Sequence, residues 1–228
     1  MMSSKIPVSS RISPLISAIA YPLGNQVILP YYFSQIRVIG QENIPKTGPV
    51  ILAPTHRSRW DALIVAHTTG KTVTGRYLRF MVSADEMRGV QGWFIRRLGG
   101  FPVDTHAHHR KLASLDHTVN LLHQGEMVVI FPEGDIFREA GIQPIKRGVA
   151  MVALQAQAER EARGCDRPVQ IVPVSLQYSQ KIPRRGSQVT VKIGEAIAVN
   201  QYPQLSIKGA SKQLTRDVAG ALAALVGE

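Results

Sequence analysis

His56 and Asp61 stand five residues apart in the stretch THRSRWD. An imidazole beside a carboxylate is a general-base device. The carboxylate fixes the ring tautomer and stabilises the imidazolium, and the other ring nitrogen takes a proton from a substrate hydroxyl. On one continuous helix the two residues would point about 140° apart, so they meet only if the chain turns between them. Ser58 supplies a turn, because Ser-Arg-Trp-Asp reads as a helix N-cap with an acid three residues on. His56 then lies in the loop, and Asp61 reaches back from the first helical turn. The same residues also fit a plain helix start, with Asp61 completing a capping box and His56 an ordinary loop residue. No serine or cysteine is clearly placed as a protein nucleophile, so the base would activate the acceptor itself. A second group of acids lies in FPEGDIFRE, where Glu133, Gly134 and Asp135 follow an apolar run. His67 falls inside the helix after Asp61 and reads as structural. His106, His108 and His109 cluster near a helix start with no readable carboxylate geometry beside them, so no metal site is expected.

These residues need elements to hold them. Short apolar or alternating runs at 34–40, 49–54, 77–84, 99–103, 126–132, 167–179 and 187–194 predict strands. Between them, 108–124 repeats Leu112, Leu115, Val119 and Leu122 at helical steps and stops at Gly125. The segments 146–164 and 210–227 are helical by the same test, the second with Leu214, Val218, Ala221, Leu222 and Leu225 on one face. Buried strands alternating with helices predict an α/β fold, a mainly parallel sheet flanked by helices. Ligands of such sheets bind beyond the carboxyl ends of the strands. THRSRWD and EGDIFR each follow a strand, so they should share one crevice.

The 228 residues are 44% hydrophobic and 19% charged, which is enough for a large core and too apolar for disorder. A net charge of +11 implies an anionic partner: nucleic acid, an anionic membrane surface or an acidic carrier protein. No nucleic-acid-binding motif, phosphate-binding glycine loop or zinc spacing is present. The single cysteine, Cys165, excludes an internal disulfide framework and suits a reducing compartment. Residues 12–34 are apolar but interrupted by Pro22, Gly24, Asn25, Gln26 and Pro30, too broken for a confident membrane span. They read as one or two short helices lying on a membrane surface, with helices packed on the core as the alternative. The expected division is a helical, membrane-associating segment at 1–35 and a domain at 36–228. Trp93 and Phe94 with Arg88, Arg96 and Arg97 fit either an interfacial element or a core helix with exposed cations.

Several blocks in fixed order resemble the glycerolipid acyltransferase superfamily, of the 1-acylglycerol-3-phosphate (lysophosphatidate) type. IRVIGQENIPKTGPVILAPTHRSRWDALIV is similar to its first block, RRLGGFPVD to its second, VVIFPEG to its third and IVPVSL to its fourth, and PIKRGVAMVAL resembles the segment after the third. The resemblance covers roughly 36 to 178. It implies transfer of a fatty acyl group from acyl carrier protein or acyl-CoA to a hydroxyl of a lysophospholipid, with His56 as general base and Asp61 orienting it. Glu133, Gly134, Arg138 and Lys146 are the expected substrate-binding residues, and no metal or redox cofactor is implied. It further implies a peripheral or monotopic protein on the cytoplasmic or stromal side of a membrane.

The chain departs from the family pattern in four places, one of them Asp135, which stands where Thr is common. Thr105 and Ile136 stand where arginines thought to hold the acceptor phosphate are common, and Thr55 stands where Asn is common. Arg138, Arg110 and Lys146 are the cations placed to replace them. Asp135 and Arg138 also have the spacing of a local helical-turn pair. A neutral alcohol or a different lysophospholipid is the alternative acceptor, and a non-catalytic acyl- or membrane-binding relative the alternative to an enzyme.

Overall fold

The computed structural model describes residues 8–103, 108–139, 141–202 and 207–227. The chain opens with α1 (Pro14–Pro22), a wider π-helical turn (Leu23–Ile28) and α2 (Leu29–Tyr32). Then follow β1 (Phe33–Ile39), β2 (Val50–Pro54), α3 (Asp61–Thr69), α4 (Lys71–Thr74), β3 (Leu78–Ser83), α5 (Gly89–Arg97), β4 (Gly100–Val103), α6 (His108–His123) and β5 (Met127–Val129). The remainder is α7 (Gly148–Ala162), β6 (Gln170–Tyr178), β7 (Ser187–Ile193), β8 (Ile197–Ala198) and α8 (Ile207–Gly227).

Among the described residues the strands form one eight-stranded sheet in the order β1-β7-β6-β2-β5-β3-β4, with β8 paired to β6. The run β6-β2-β5-β3-β4 is parallel throughout. β7 runs antiparallel to β6, and β1 parallel to β7. The expected α/β architecture is therefore present.

Side chains alternate across the pleat, so β2 feeds two cores. Ile51 and Ala53 face Leu122 of α6, Val152 of α7 and Leu214 and Val218 of α8. Val50 and Leu52 face Leu29, Phe33 and Ile64. Leu29 thus packs the N-terminal helices into the second core. Pro22 and Pro30 do not end the helical path, because the π turn lies between them and closes with the Leu29 N–H on the Gly24 carbonyl. The helix expected around Trp93 is α5. Its Gly92 is buried against the Met87 carbonyl, which a Cβ there would strike. No helix among the described residues is long and apolar enough to cross a membrane.

Candidate active site

Three neighbouring strands, β6, β2 and β5, deliver the site at their carboxyl ends. After β2, the Thr55 N–H bonds the Val174 carbonyl at 2.9 Å, and its hydroxyl accepts the Leu176 N–H at 2.9 Å. Thr55 therefore extends the pairing with β6 by one residue, and His56 leaves the sheet from a fixed point.

The chain turns at Ser58 as the spacing requires. Asp61 Oδ2 accepts from His56 Nδ1 at 2.8 Å, the Arg57 N–H at 2.6 Å and the Ser58 N–H at 2.8 Å. The last of these is the reciprocal half of a capping box. The Ser58 hydroxyl instead accepts from the Trp60 N–H at 3.3 Å. Asp61 is fully buried and does both jobs that its spacing allowed, capping the helix and holding the imidazole. A carboxylate only accepts, so Nδ1 carries the proton and Nε2 presents its lone pair. Nε2 has no partner among the described residues. The ring stacks on Phe131, with centroids 4.0 Å apart, and its side chain is 20% exposed.

Tyr178, the last residue of β6, donates its hydroxyl to Asp61 Oδ1 at 2.6 Å. Burial first, and then the Asp61 charge, push that hydroxyl well above its ordinary pKa, so it stays a donor. Replacing Tyr178 with Phe leaves Oδ1 buried without that partner. The expected cost is about 1–3 kcal/mol of stability. Measured kinetics of the variant should show a reduced kcat with KM unchanged, because the imidazole loses its fixed orientation while no substrate contact is removed.

Glu133 follows β5 and is also sealed from solvent. Its Oε1 and Oε2 take a bidentate pair from Arg57, at 2.9 and 2.6 Å. Oε2 also accepts the His56 N–H at 3.0 Å, and Oε1 the Gln143 N–H at 3.2 Å. Arg57 reaches further, to the Gly141 carbonyl at 2.7 Å. The Phe137 N–H closes the loop onto the His56 carbonyl at 2.9 Å. Glu133 is expected to line the crevice as a substrate contact; in the structure its four contacts are all with the protein itself. Its side chain is 0% exposed, and both oxygens hold the segment that carries His56.

A family model described as acyltransferase matches residues 35–177. The chain belongs to the acyltransferase family. Over 124 residues it is 29% identical to the 1-acyl-sn-glycerol-3-phosphate acyltransferase of Bacillus subtilis (strain 168), covering 54% of this chain and 58% of that protein. Over 194 residues it is 24% identical to the chloroplastic 1-acyl-sn-glycerol-3-phosphate acyltransferase of Brassica napus, covering 84% of this chain and 50% of that protein. The chain thus spans about half the length of these curated relatives. The crystal structure of the 1-acyl-sn-glycerophosphate acyltransferase from Thermotoga maritima shares the fold, with a TM-score of 0.63, 20% identity and coverage of 90% of this chain and 78% of that one.

Gly134 has φ +75°, and Lys146 lies where its Cβ would be, so glycine permits both the turn and the approach of the lysine. The Lys146 N–H bonds the Pro132 carbonyl at 2.8 Å, while its side chain is exposed. Arg138, one residue past Phe137, is exposed and has no ion pair or hydrogen bond among the described residues. The local Asp135–Arg138 pair is not formed, because no helix covers this loop and Asp135 instead accepts its neighbour Ile136 N–H at 2.7 Å. Ile136 is half-buried. Thr105 and His106 lie outside the described residues, as do the side chains of His108, His109 and Arg110. Two clefts among the described residues, of about 640 and 490 Å³, contain none of His56, Asp61 and Glu133. The second, lined by Lys46, Arg76 and Arg167, lies at the opposite, amino ends of the strands.

Proposed function

We propose that this acyltransferase moves a fatty acyl group from an acyl carrier protein or coenzyme A thioester to the hydroxyl of a lysophospholipid such as 1-acylglycerol-3-phosphate, at a membrane surface. The carrying observation is the His56–Asp61 pair, with Nδ1 held at 2.8 Å and Nε2 left with its lone pair. Nε2 takes the hydroxyl proton as the acceptor oxygen attacks the thioester carbonyl. A C–O bond forms, the tetrahedral intermediate collapses, and the C–S bond breaks. The imidazolium returns its proton to the departing thiolate, and throughout the step Asp61 stabilises the charged ring. The chain's own residues supply every proton-transfer group in this scheme.

Arg138 and Lys146 support a phosphate-bearing acceptor. Both are exposed cations on the loop that closes onto His56, and neither is committed to a carboxylate. The surface of the N-terminal helices supports membrane association. Leu15, Ile19, Leu23, Val27 and Tyr31 are exposed by 73, 63, 47, 56 and 64%. A stripe of that kind along one helix suits the boundary of a bilayer. On α5, Trp93 and Phe94 are also exposed, and Arg97 lies over the Trp93 ring at 3.9 Å.

Labelled acyl carrier protein and acyl-CoA, each offered with lysophosphatidate, lysophosphatidylglycerol and a long-chain alcohol, test the reading. Acylated lysophosphatidate is the expected product. Acylation of the alcohol alone would remove the phosphate acceptor, and no product with any lipid would remove the enzyme.

A further inference from the structure

The hairpin between β6 and β7 reads SQKIPRRGS from Ser179 to Ser187 and holds three cations and no acid. Lys181, Arg184 and Arg185 are exposed, and none forms an ion pair among the described residues. Ile182, between them, is 62% exposed. The hairpin thus presents a bulky aliphatic side chain flanked by cations. The loop is nonetheless held in place. The Tyr32 hydroxyl donates to the Pro183 carbonyl at 2.9 Å, and the Gly186 N–H to the Tyr32 carbonyl at 2.8 Å. The Ser34 hydroxyl adds a bond to the Gly186 carbonyl at 2.8 Å. Arg185 lies over the exposed Tyr31 ring, 4.3 Å from its centroid.

These contacts join the hairpin to the end of the apolar stripe on the N-terminal helices. Successive members of that stripe are four residues apart and drift about 40° per step on an α-helix. The π turn, with its longer hydrogen-bonded loop, corrects the drift, and Tyr31 therefore emerges on the exposed side beside Arg185. The strand leading into the hairpin ends at Tyr178, which bonds Asp61. The basic loop thus lies at the active-site end of the sheet.

We propose that this hairpin is a second membrane contact, in which Ile182 enters the bilayer and Lys181, Arg184 and Arg185 bind the phosphates of anionic lipids. Charge complementarity and continuity with the apolar stripe select this occupant. The assignment rests on the membrane reading of the N-terminal helices and extends it. Docking by the hairpin together with the adjoining apolar stripe fixes the rotation of the protein on the surface. It holds the carboxyl ends of β6 and β2 toward the lipid from which a lysophospholipid would arrive.

Vesicle co-sedimentation tests it without relying on catalysis. The full chain is compared with K181Q/R184Q/R185Q, and with K181Q/R184Q, which keeps the Arg185–Tyr31 contact. The vesicles are phosphatidylcholine alone or mixed with phosphatidylglycerol. Each cation near an anionic surface is worth about fivefold in partitioning, so the triple change should lower binding to the mixed vesicles on the order of 100-fold at low salt. Binding to phosphatidylcholine should be unchanged, and added salt should shrink the difference. A fluorophore on Ile182→Cys, in a Cys165→Ser background, should shift to the blue on binding. Equal binding of wild type and both charge variants, with the label still in water, would overturn the hairpin while sparing the N-terminal helices. Failure of the wild type to bind any vesicle would overturn both. If the charges mattered for an acidic carrier protein and not for vesicles, the lipid assignment would fall.

Discussion

His56→Ala lowers acyl transfer by a factor on the order of 10² to 10⁴ while the protein stays folded. The two halves of that expectation come from different atoms. The alanine removes the lone pair on Nε2, which the reaction needs to take up the acceptor proton. It keeps the backbone, so the His56 N–H still reaches Glu133 at 3.0 Å and its carbonyl still accepts from Phe137 at 2.9 Å. Asp61 keeps three of its four donors, the N–H groups of Arg57 and Ser58 and the Tyr178 hydroxyl. No buried charge is left bare, and the stability change should stay within about 1 kcal/mol. Initial rates and urea denaturation on the same preparation check both halves. Full activity in a folded variant would end the general-base reading. Asp61→Ala is expected to behave differently, because it orphans every one of those donors and unfolds the turn as well as stopping the chemistry.

The sequence makes the sheet legible because its central strands β2, β5 and β6 are buried on both faces and read as largely apolar runs, while β1 and β7 alternate. It makes the crevice legible because two motif-bearing loops each follow such a strand. The partners of the pair were hidden for a physical reason. Arg57 and Glu133 are 76 residues apart, and one arginine among 27 basic residues carries no mark of its future partner. Tyr178 reads as one more strand aromatic, and only the register of β6 against β2 brings it to Asp61. The same limit explains the reading of Glu133 as a crevice wall. Spacing places it near His56, whereas its pairing, which decides whether it faces solvent, depends on a distant guanidinium. The N-terminal segment reads as one or two short helices, and α1 and α2 are two such helices. Pro22, Gly24 and Pro30 look like breaks, yet a π turn carries the helical path through them.

Glu133→Ala should destabilise the protein by about 3–5 kcal/mol, because it breaks a buried ion pair by removing one partner. The Arg57 side chain is 11% exposed and would keep its charge with only carbonyls around it. The N–H groups of His56 and Gln143 would lose their acceptor too. Arg57→Ala leaves the converse fault, a fully enclosed carboxylate with two backbone donors. Removing both side chains leaves neither charge uncompensated, so the double variant should lose less stability than the sum of the single ones. Activity should fall in all three, since the pair joins the loop after β5 to the backbone of His56 itself. Urea denaturation of the four proteins gives the coupling energy directly. If Glu133→Ala were as stable as wild type and still inactive, Glu133 would be acting on the substrate. If the single losses simply added, the two side chains would not be working as a pair. The geometry argues for a third result, strong coupling with stability and activity lost together. A carboxylate with a bidentate guanidinium and two N–H groups has no lone pair left for a ligand.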